Sequence, residues 1–178
     1  MVADEFTRLI ATVGSRKLPP VELWQPETVG EIDITIRRDG VWFHEGREIK
    51  RQSIVNLFST VLRRDENQFF LVTPVEKLKI EVEDVPFVAV AMEVDGTGAS
   101  QRLLFTTNCG DHVLAGSENP VRMGQDRGEQ RPYLMVRNNL DALICRSVFY
   151  RLANLVEGDD EMYLVSDGVR FPLGHMLG

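Results

Sequence analysis

The chain has 178 residues, 43% of them hydrophobic, which is enough for one ordinary domain or two small lobes around a shared core and too little for several independent domains. Its 27 acidic side chains against 20 basic ones leave a net charge of -7, which opposes the phosphate attraction behind most nucleic-acid affinity, and no run approaches the roughly 18 apolar residues of a membrane span. Neither nucleic acid nor membrane is an expected partner, and the acidic start MVADEFTRLIATVG with only two distant cysteines points to a cytoplasmic protein without a disulfide framework.

Phe6, Leu9, Ile10 and Val13 share one helical stripe, which predicts a short N-terminal helix ending at Gly14. In KLPPVELWQP, Pro19, Pro20 and Pro26 fix φ and remove donors, so this stretch reads as an extended tether with Leu23 and Trp24 as anchors. Ile32, Ile34 and Ile36 alternate with polar residues up to Asp39-Gly40, a pair suited to a two-residue hairpin turn. That register puts Ile34, Ile36, Val41 and Phe43 on a core face. It leaves Thr35, Arg37, Trp42 and His44 on the other, with Arg37 over the Trp42 ring. After a second turn at Glu45-Gly46, the spacing of Ile54, Leu57, Phe58, Val61 and Leu62 predicts an amphipathic helix from Arg51 to Arg64, closed by Arg63 and Arg64.

Strands follow at QFFLVTP, at LKIEVE with Leu78, Ile80 and Val82 inward, and at PFVAVAMEV, QRLLFTT and HVLAG. The polar, glycine-bearing stretch 117–131 reads as a mobile loop. Next come a strand PYLMV, a cap at Asn138 or Asn139, and a second helix with Cys145, Val148, Phe149, Leu152 and Val156 on one stripe. EMYLVS, an Asp167-Gly168 turn and VRFPL close the chain. The order strands, helix, acidic turn, strand occurs at LFSTVLRRDENQFFLVTP and again at VFYRLANLVEGDDEMYLVSD, an internal repeat. The expected fold is therefore α+β. It has an N-terminal helix and tether over 1–30, then two related lobes over 31–84 and 85–178, each a mainly antiparallel sheet with one long amphipathic helix. The crevice between the lobes is the default ligand site.

Little in the chain calls for a cofactor. His44, His112 and His175 fall on separate elements, and Cys109-Gly-Asp-His112 offers two ligand types without the third that zinc needs, so no metal is expected. No GxSxG, GxGxxG or GxxxxGK occurs, and no cofactor is expected. Glu76, Glu81, Glu83 and Asp84 read either as a charged strand edge or as paired carboxylates. The cations say more: Arg47, Lys50 and Arg51 gather at the start of the first long helix, and Arg137 precedes the second. A cation there opposes the helix dipole by about 0.3 to 1 kcal/mol, which implies a compensating anion, either an internal one such as Glu76 or Asp84 or a ligand. Solvated loop charge is the plainer alternative.

Taken in order, LPPVELWQP, DITIRRDGVWFHEGREIKR, IVNLFSTVLRRDENQFFLVTPVEKLKIEVEDVPFVAV, LLFTTNCGD and RPYLMVRNNLDALICRSVFYRLA resemble the proteobacterial family known as domain of unknown function 1285, from Leu18 onward. The resemblance implies an α+β structure with repeated motifs and a suggested role in signal transduction; it carries no catalytic residue with it. Among the positions similar to that family, Arg51, Glu76, Asp84, Arg137 and Arg146 are polar with no turn to explain them, and Trp42 and Tyr150 accompany them. These seven are the candidate ligand-binding residues of a non-enzymatic binding or signalling module with an anion-accepting site between the lobes. Its expected partner is an anionic small molecule or an acidic protein surface. Two alternatives stay open: a hydrolase or transferase with Glu76 or Asp84 as general base, and an interaction scaffold built on Trp24, Trp42 and the tether. Convergence of the carboxylates and arginines on one pocket would separate the enzyme from the others.

Overall fold

The structure, a computed structural model, describes residues 2–175. The first sheet is built from β1 (Thr28–Ile36), β2 (Trp42–His44), β3 (Arg47–Glu48), β4 (Leu62–Asp65), β5 (Gln68–Val72) and β6 (Glu76–Val82), with α2 (Gln52–Thr60) between β3 and β4. Its order is β3-β2-β1-β6-β5-β4, and only β1 and β6 run parallel. The second sheet is built from β7 (Phe87–Asp95), β8 (Arg102–Thr107), β9 (His112–Leu114), β10 (Val121–Asp126), β11 (Glu129–Arg137) and β12 (Leu140–Ile144), in the order β10-β11-β12-β7-β8-β9 with β7 and β12 parallel. Read from β9, this is the first order again. Each lobe is a pair of three-stranded antiparallel meanders joined by one parallel contact.

The chain is thus α+β with two related lobes, but the repeat relates β1–β6 to β7–β12. The helices aligned in the sequence hold different places: α2 joins the two meanders of the first lobe, whereas α3 (Arg146–Ala153) follows the last strand of the second. A separate hairpin, β13 (Glu161–Ser166) and β14 (Val169–His175), ends the fold. At the other end α1 (Val2–Ile10) buries Phe6 beneath the Arg102 guanidinium. One apolar core runs through both lobes, from Ile34, Ile36 and Trp42 to Phe87, Phe105, Leu134 and Leu164. No helix among the described residues is long and apolar enough to cross a membrane.

Four local expectations are corrected. The first hairpin pairs Thr35 with Phe43 and Ile36 with Trp42, because its loop has three residues, 38–40, ending at Gly40 with φ +82°. A one-residue change of register moves every side chain to the other face. Trp42 is therefore in the core at 1% exposure, and Arg37 lies 3.6 Å over the Phe43 ring instead. Gly40 is needed twice over, since a Cβ there would also meet Asn108 Nδ2 at 2.7 Å.

The first helix stops at Thr60 and buries Val55 and Ser59, leaving Leu57 exposed, while Arg63 and Arg64 belong to β4. Residues 117–131 hold β10 and the start of β11 rather than a mobile loop; β10 is an edge strand, which tolerates polar residues on its open side. Asn138 and Asn139, at φ +45° and +62°, make a two-residue hairpin turn into β12 rather than a helix cap, and Cys145 is the residue that precedes α3.

The tether is anchored differently from expectation as well. Val21 is buried, Leu23 is exposed, and Arg63, only 5% exposed, donates Nη1 to the carbonyls of Val21 and Trp24, both at 2.8 Å. Its Nε and Nη2 bind Asp65 at 2.9 and 3.0 Å, and Lys77 Nζ reaches the same carboxylate at 2.7 Å. Burial alone would raise the Asp65 pKa, but the bonds from Arg63 and Lys77 outweigh it and hold the carboxyl below its usual range. The folded-state pKa lies below the unfolded one, so this stabilisation is present at neutral pH and is lost as pH falls through the folded-state value. Asp65→Asn should cost about 1 to 2 kcal/mol at pH 7, the solvent around Asp65 softening a buried-pair loss. Urea unfolding at pH 7 and again at pH 3 should show the gap between variant and wild type closing in acid.

Candidate functional site

The seven candidate residues do not gather at one place. Arg137 finds its anion inside the protein, but in Asp111 rather than Glu76 or Asp84: Nη1 donates to Asp111 Oδ1 at 2.8 Å and Nη2 to the Ser59 carbonyl at 2.9 Å. Trp42 is core, its buried indole N–H without an acceptor among the described residues. Arg51 is exposed at the start of α2 and makes no side-chain cap. Glu76 opens β6 and Asp84 lies past its far end, beyond the roughly 20 Å that the strand itself spans, so the two cannot share a reacting atom. Asp84 instead accepts from the Tyr133 hydroxyl at 3.0 and 3.1 Å in a polar cavity between the lobes, where burial raises its pKa. Among the described residues neither Glu76 nor Asp84 bonds to Arg51, Arg137 or Arg146, so the convergence that a general base would require is not made by these residues.

Arg146 and Tyr150 are the pair the structure does bring together. Four residues apart in α3, they project from the same side of the helix. The opposite side is fixed by the burial of Val148 and Leu152 on the sheet and by Arg151 Nη1, which donates to the Met92 carbonyl at 2.6 Å. Between α3, strands β10 and β11, and the final hairpin runs a groove of two adjoining cavities of about 530 and 520 Å³, which share Gln130, Pro132 and Phe149 as a common wall. The inner one is apolar, with Val121 and Met123 as floor, Leu152 and Val156 on the helix side, and Met162 and Leu173 on the hairpin side. The hairpin holds this position because its turn end is tied down: Leu103 N–H donates to Ser166 Oγ, Ser166 Oγ donates to the Ala115 carbonyl, and Gln101 Nε2 donates to the Val165 carbonyl.

The outer cavity is polar at its rim. Arg131 stands 3.6 Å from Glu129 and 4.0 Å from Asp126, whereas Arg146 has no anionic partner among the described residues. Cys145 and the exposed Tyr150 complete this end. The sequence reading missed the floor of the groove because it took 117–131 for a loop; the alternation of Val121 and Met123 with Arg122 and Gly124 was the signal available. The other thiol, Cys109, is buried and its pKa is pushed up to about 11 by that burial, with Asp111 adding to it. A disulfide reagent at pH 8 should therefore modify Cys145 and spare Cys109 until denaturant is added, read as one fast thiol in the folded protein and two in the unfolded.

The fold defines a class of protein: a duplicated six-stranded mixed sheet with a helix and hairpin closing the second copy. The model described as "Domain of unknown function (DUF1285), N-terminal domain" matches residues 19–85, and that described as "Protein of unknown function (DUF1285), C-terminal domain" matches 86–173. The chain belongs to the DUF1285 family. A family member from Silicibacter pomeroyi, known from its crystal structure, is 49% identical over 94% of this chain and 95% of its own, with a TM-score of 0.86. Another from Shewanella baltica is 26% identical over 68% of this chain and 90% of its own, with a TM-score of 0.54. No curated protein matches the chain.

Proposed function

We propose that this protein is a non-enzymatic binding module for a single-tailed amphiphile with an anionic head, taken up in the groove beside α3. The expectation of an anionic ligand is kept, while its place moves from the crevice between the lobes to the second lobe. The observation that carries the reading is Arg146, without an anionic partner among the described residues, lining a cavity that adjoins an apolar one of about 520 Å³: the cation suits a carboxylate, and the apolar cavity suits an alkyl chain. A signalling role follows the same logic, since occupancy of a groove walled by a hairpin and a helix is an event that a second protein can read.

Each methylene entering the groove should contribute about 0.8 kcal/mol, so affinity should rise about fourfold per added carbon until the inner cavity is full. Alkyl carboxylates from hexanoate to tetradecanoate, titrated by calorimetry, should follow that series and then level off. Arg146→Ala should weaken dodecanoate about tenfold, the loss of one charge-assisted contact, and leave dodecanol unchanged. Dodecanoate should also slow modification of Cys145. Absence of saturable binding across the series, or dodecyltrimethylammonium binding as tightly as dodecanoate, would sink the reading.

A further inference from the structure

A further cavity, of about 380 Å³, lies between the chain that follows α1 and the second sheet. Residues 12–18 supply one wall, and Val113 and Val136 belong to the opposite one. The hydroxyls of the first wall are turned to their own backbone: Thr12 Oγ1 donates to the Leu9 carbonyl at 2.6 Å and Ser15 Oγ to the Thr12 carbonyl at 2.7 Å. What remains to characterise the lining is apolar surface, including that of Leu18, and charge.

The charge is unequal. Arg16 and Arg137 both line the cavity, against one carboxylate, Asp111, and His112 joins them. That carboxylate is fully engaged: Oδ1 accepts from Arg16 at 3.0 Å and from Arg137 at 2.8 Å, and Oδ2 accepts from the Thr107 hydroxyl at 3.2 Å. Two guanidiniums therefore share a single counter-ion. The end of α2 compensates in part, since Arg16 Nη2 donates to the Asn56 carbonyl and Arg137 Nη2 to the Ser59 carbonyl, and a helix C-terminus carries roughly half a negative charge. The balance still favours an anion. The volume falls at the small end of the range for ligand sites, so the body attached to that anion is the size of a ring or a branched chain rather than a long tail.

We infer that this cavity binds a small organic carboxylate with an apolar body, its charge beside Arg16 and Arg137 and its body against Leu18, Val113 and Val136. Such a ligand touches both the N-terminal segment and the second sheet, so it adds to the hold of Arg16 on Asp111. The site is separate from the groove, and neither reading depends on the other.

The test is a titration followed by methyl nuclear magnetic resonance, with benzoate, cyclohexanecarboxylate and isovalerate, the amide of each, and inorganic phosphate as probes. At least one carboxylate should bind saturably and move the methyl signals of Leu18, Val113 and Val136 with a single Kd. Its amide should bind about tenfold or more weaker, the effect of removing one charge-assisted contact, and phosphate, which lacks the apolar body, should also bind weaker than the carboxylate. Arg16→Met should lose a similar factor. If that variant fails to fold by circular dichroism, Thr12→Trp decides instead: it keeps both arginines and fills the cavity from its exposed wall, so it must abolish the shifts that the carboxylate causes at Val113 and Val136. No saturable shift with any carboxylate, an amide that matches its acid, or shifts confined to Val121 and Leu152 in the groove overturns the assignment.

Discussion

A single buried carboxylate oxygen, Asp111 Oδ1, accepts from two guanidiniums that reach it from different parts of the chain. Arg16 comes from the N-terminal segment at 3.0 Å and Arg137 from β11 at 2.8 Å. The same guanidiniums continue to the last turn of α2, where Arg16 binds the Asn56 carbonyl at 3.0 Å and Arg137 the Ser59 carbonyl. Positive charge at a helix C-terminus is favoured by the dipole, and the Asn56 carbonyl also accepts from the Ser59 hydroxyl at 2.7 Å. Asp111 thus draws together the N-terminal segment, the first lobe's helix and the second lobe's sheet. The Thr107 hydroxyl donates to its other oxygen, Oδ2, at 3.2 Å. A carboxylate buried this deeply is tolerable only with both cations in place.

The duplicated sheet alone would give two equal halves; the placement of the helices makes them unequal. In the first lobe α2 is spent on the joint: its C-terminal turn meets the arginines, and Gln52 Nε2 in its first turn donates to the Asn108 carbonyl at 3.0 Å. Asn108 in turn holds the first hairpin, giving Nδ2 to the Gly40 carbonyl and taking the Val88 N–H on Oδ1. In the second lobe the helix comes after the sheet is complete, so α3 lies beside β10 and β11 with the final hairpin opposite. The groove lies in that lobe. Its rim carries Arg146, which, unlike Arg137, is not drawn into the joint.

Much of the architecture was legible in the sequence, because period-two alternation and Asp-Gly or Glu-Gly turns are local signals. Strands at QFFLV, EKLKIEV and FVAVAMEVD, and the final hairpin, rest on such signals. The failures also have local causes. Asp39-Gly40 fits a two-residue turn as well as the end of a three-residue loop, and that ambiguity of one residue sent Trp42 to the wrong face. Asn138-Asn139 fits a helix cap as well as a hairpin turn, since both exploit the same side chains. Arg63 and Arg64 continue a helical spacing by coincidence. The sites were less legible: Asp111 meets partners 95 and 26 residues away, and nothing local marks either pairing. Arg146 and Tyr150 were found by resemblance, but the apolar floor beneath them lay in a stretch read as a loop.

The claim that the lobes behave as one body through Asp111 can be tested by the unfolding of Asp111→Asn in urea, followed by tryptophan fluorescence and far-ultraviolet circular dichroism. Both tryptophans, Trp24 and Trp42, report on the first lobe and its tether, whereas the dichroism reports on both lobes. The account predicts coincident transitions for wild type. For the variant it predicts a loss of about 3 kcal/mol, the cost of breaking a buried ion pair, with the two probes parting as the lobes unfold separately. A variant that keeps the wild-type midpoint by both probes would contradict it.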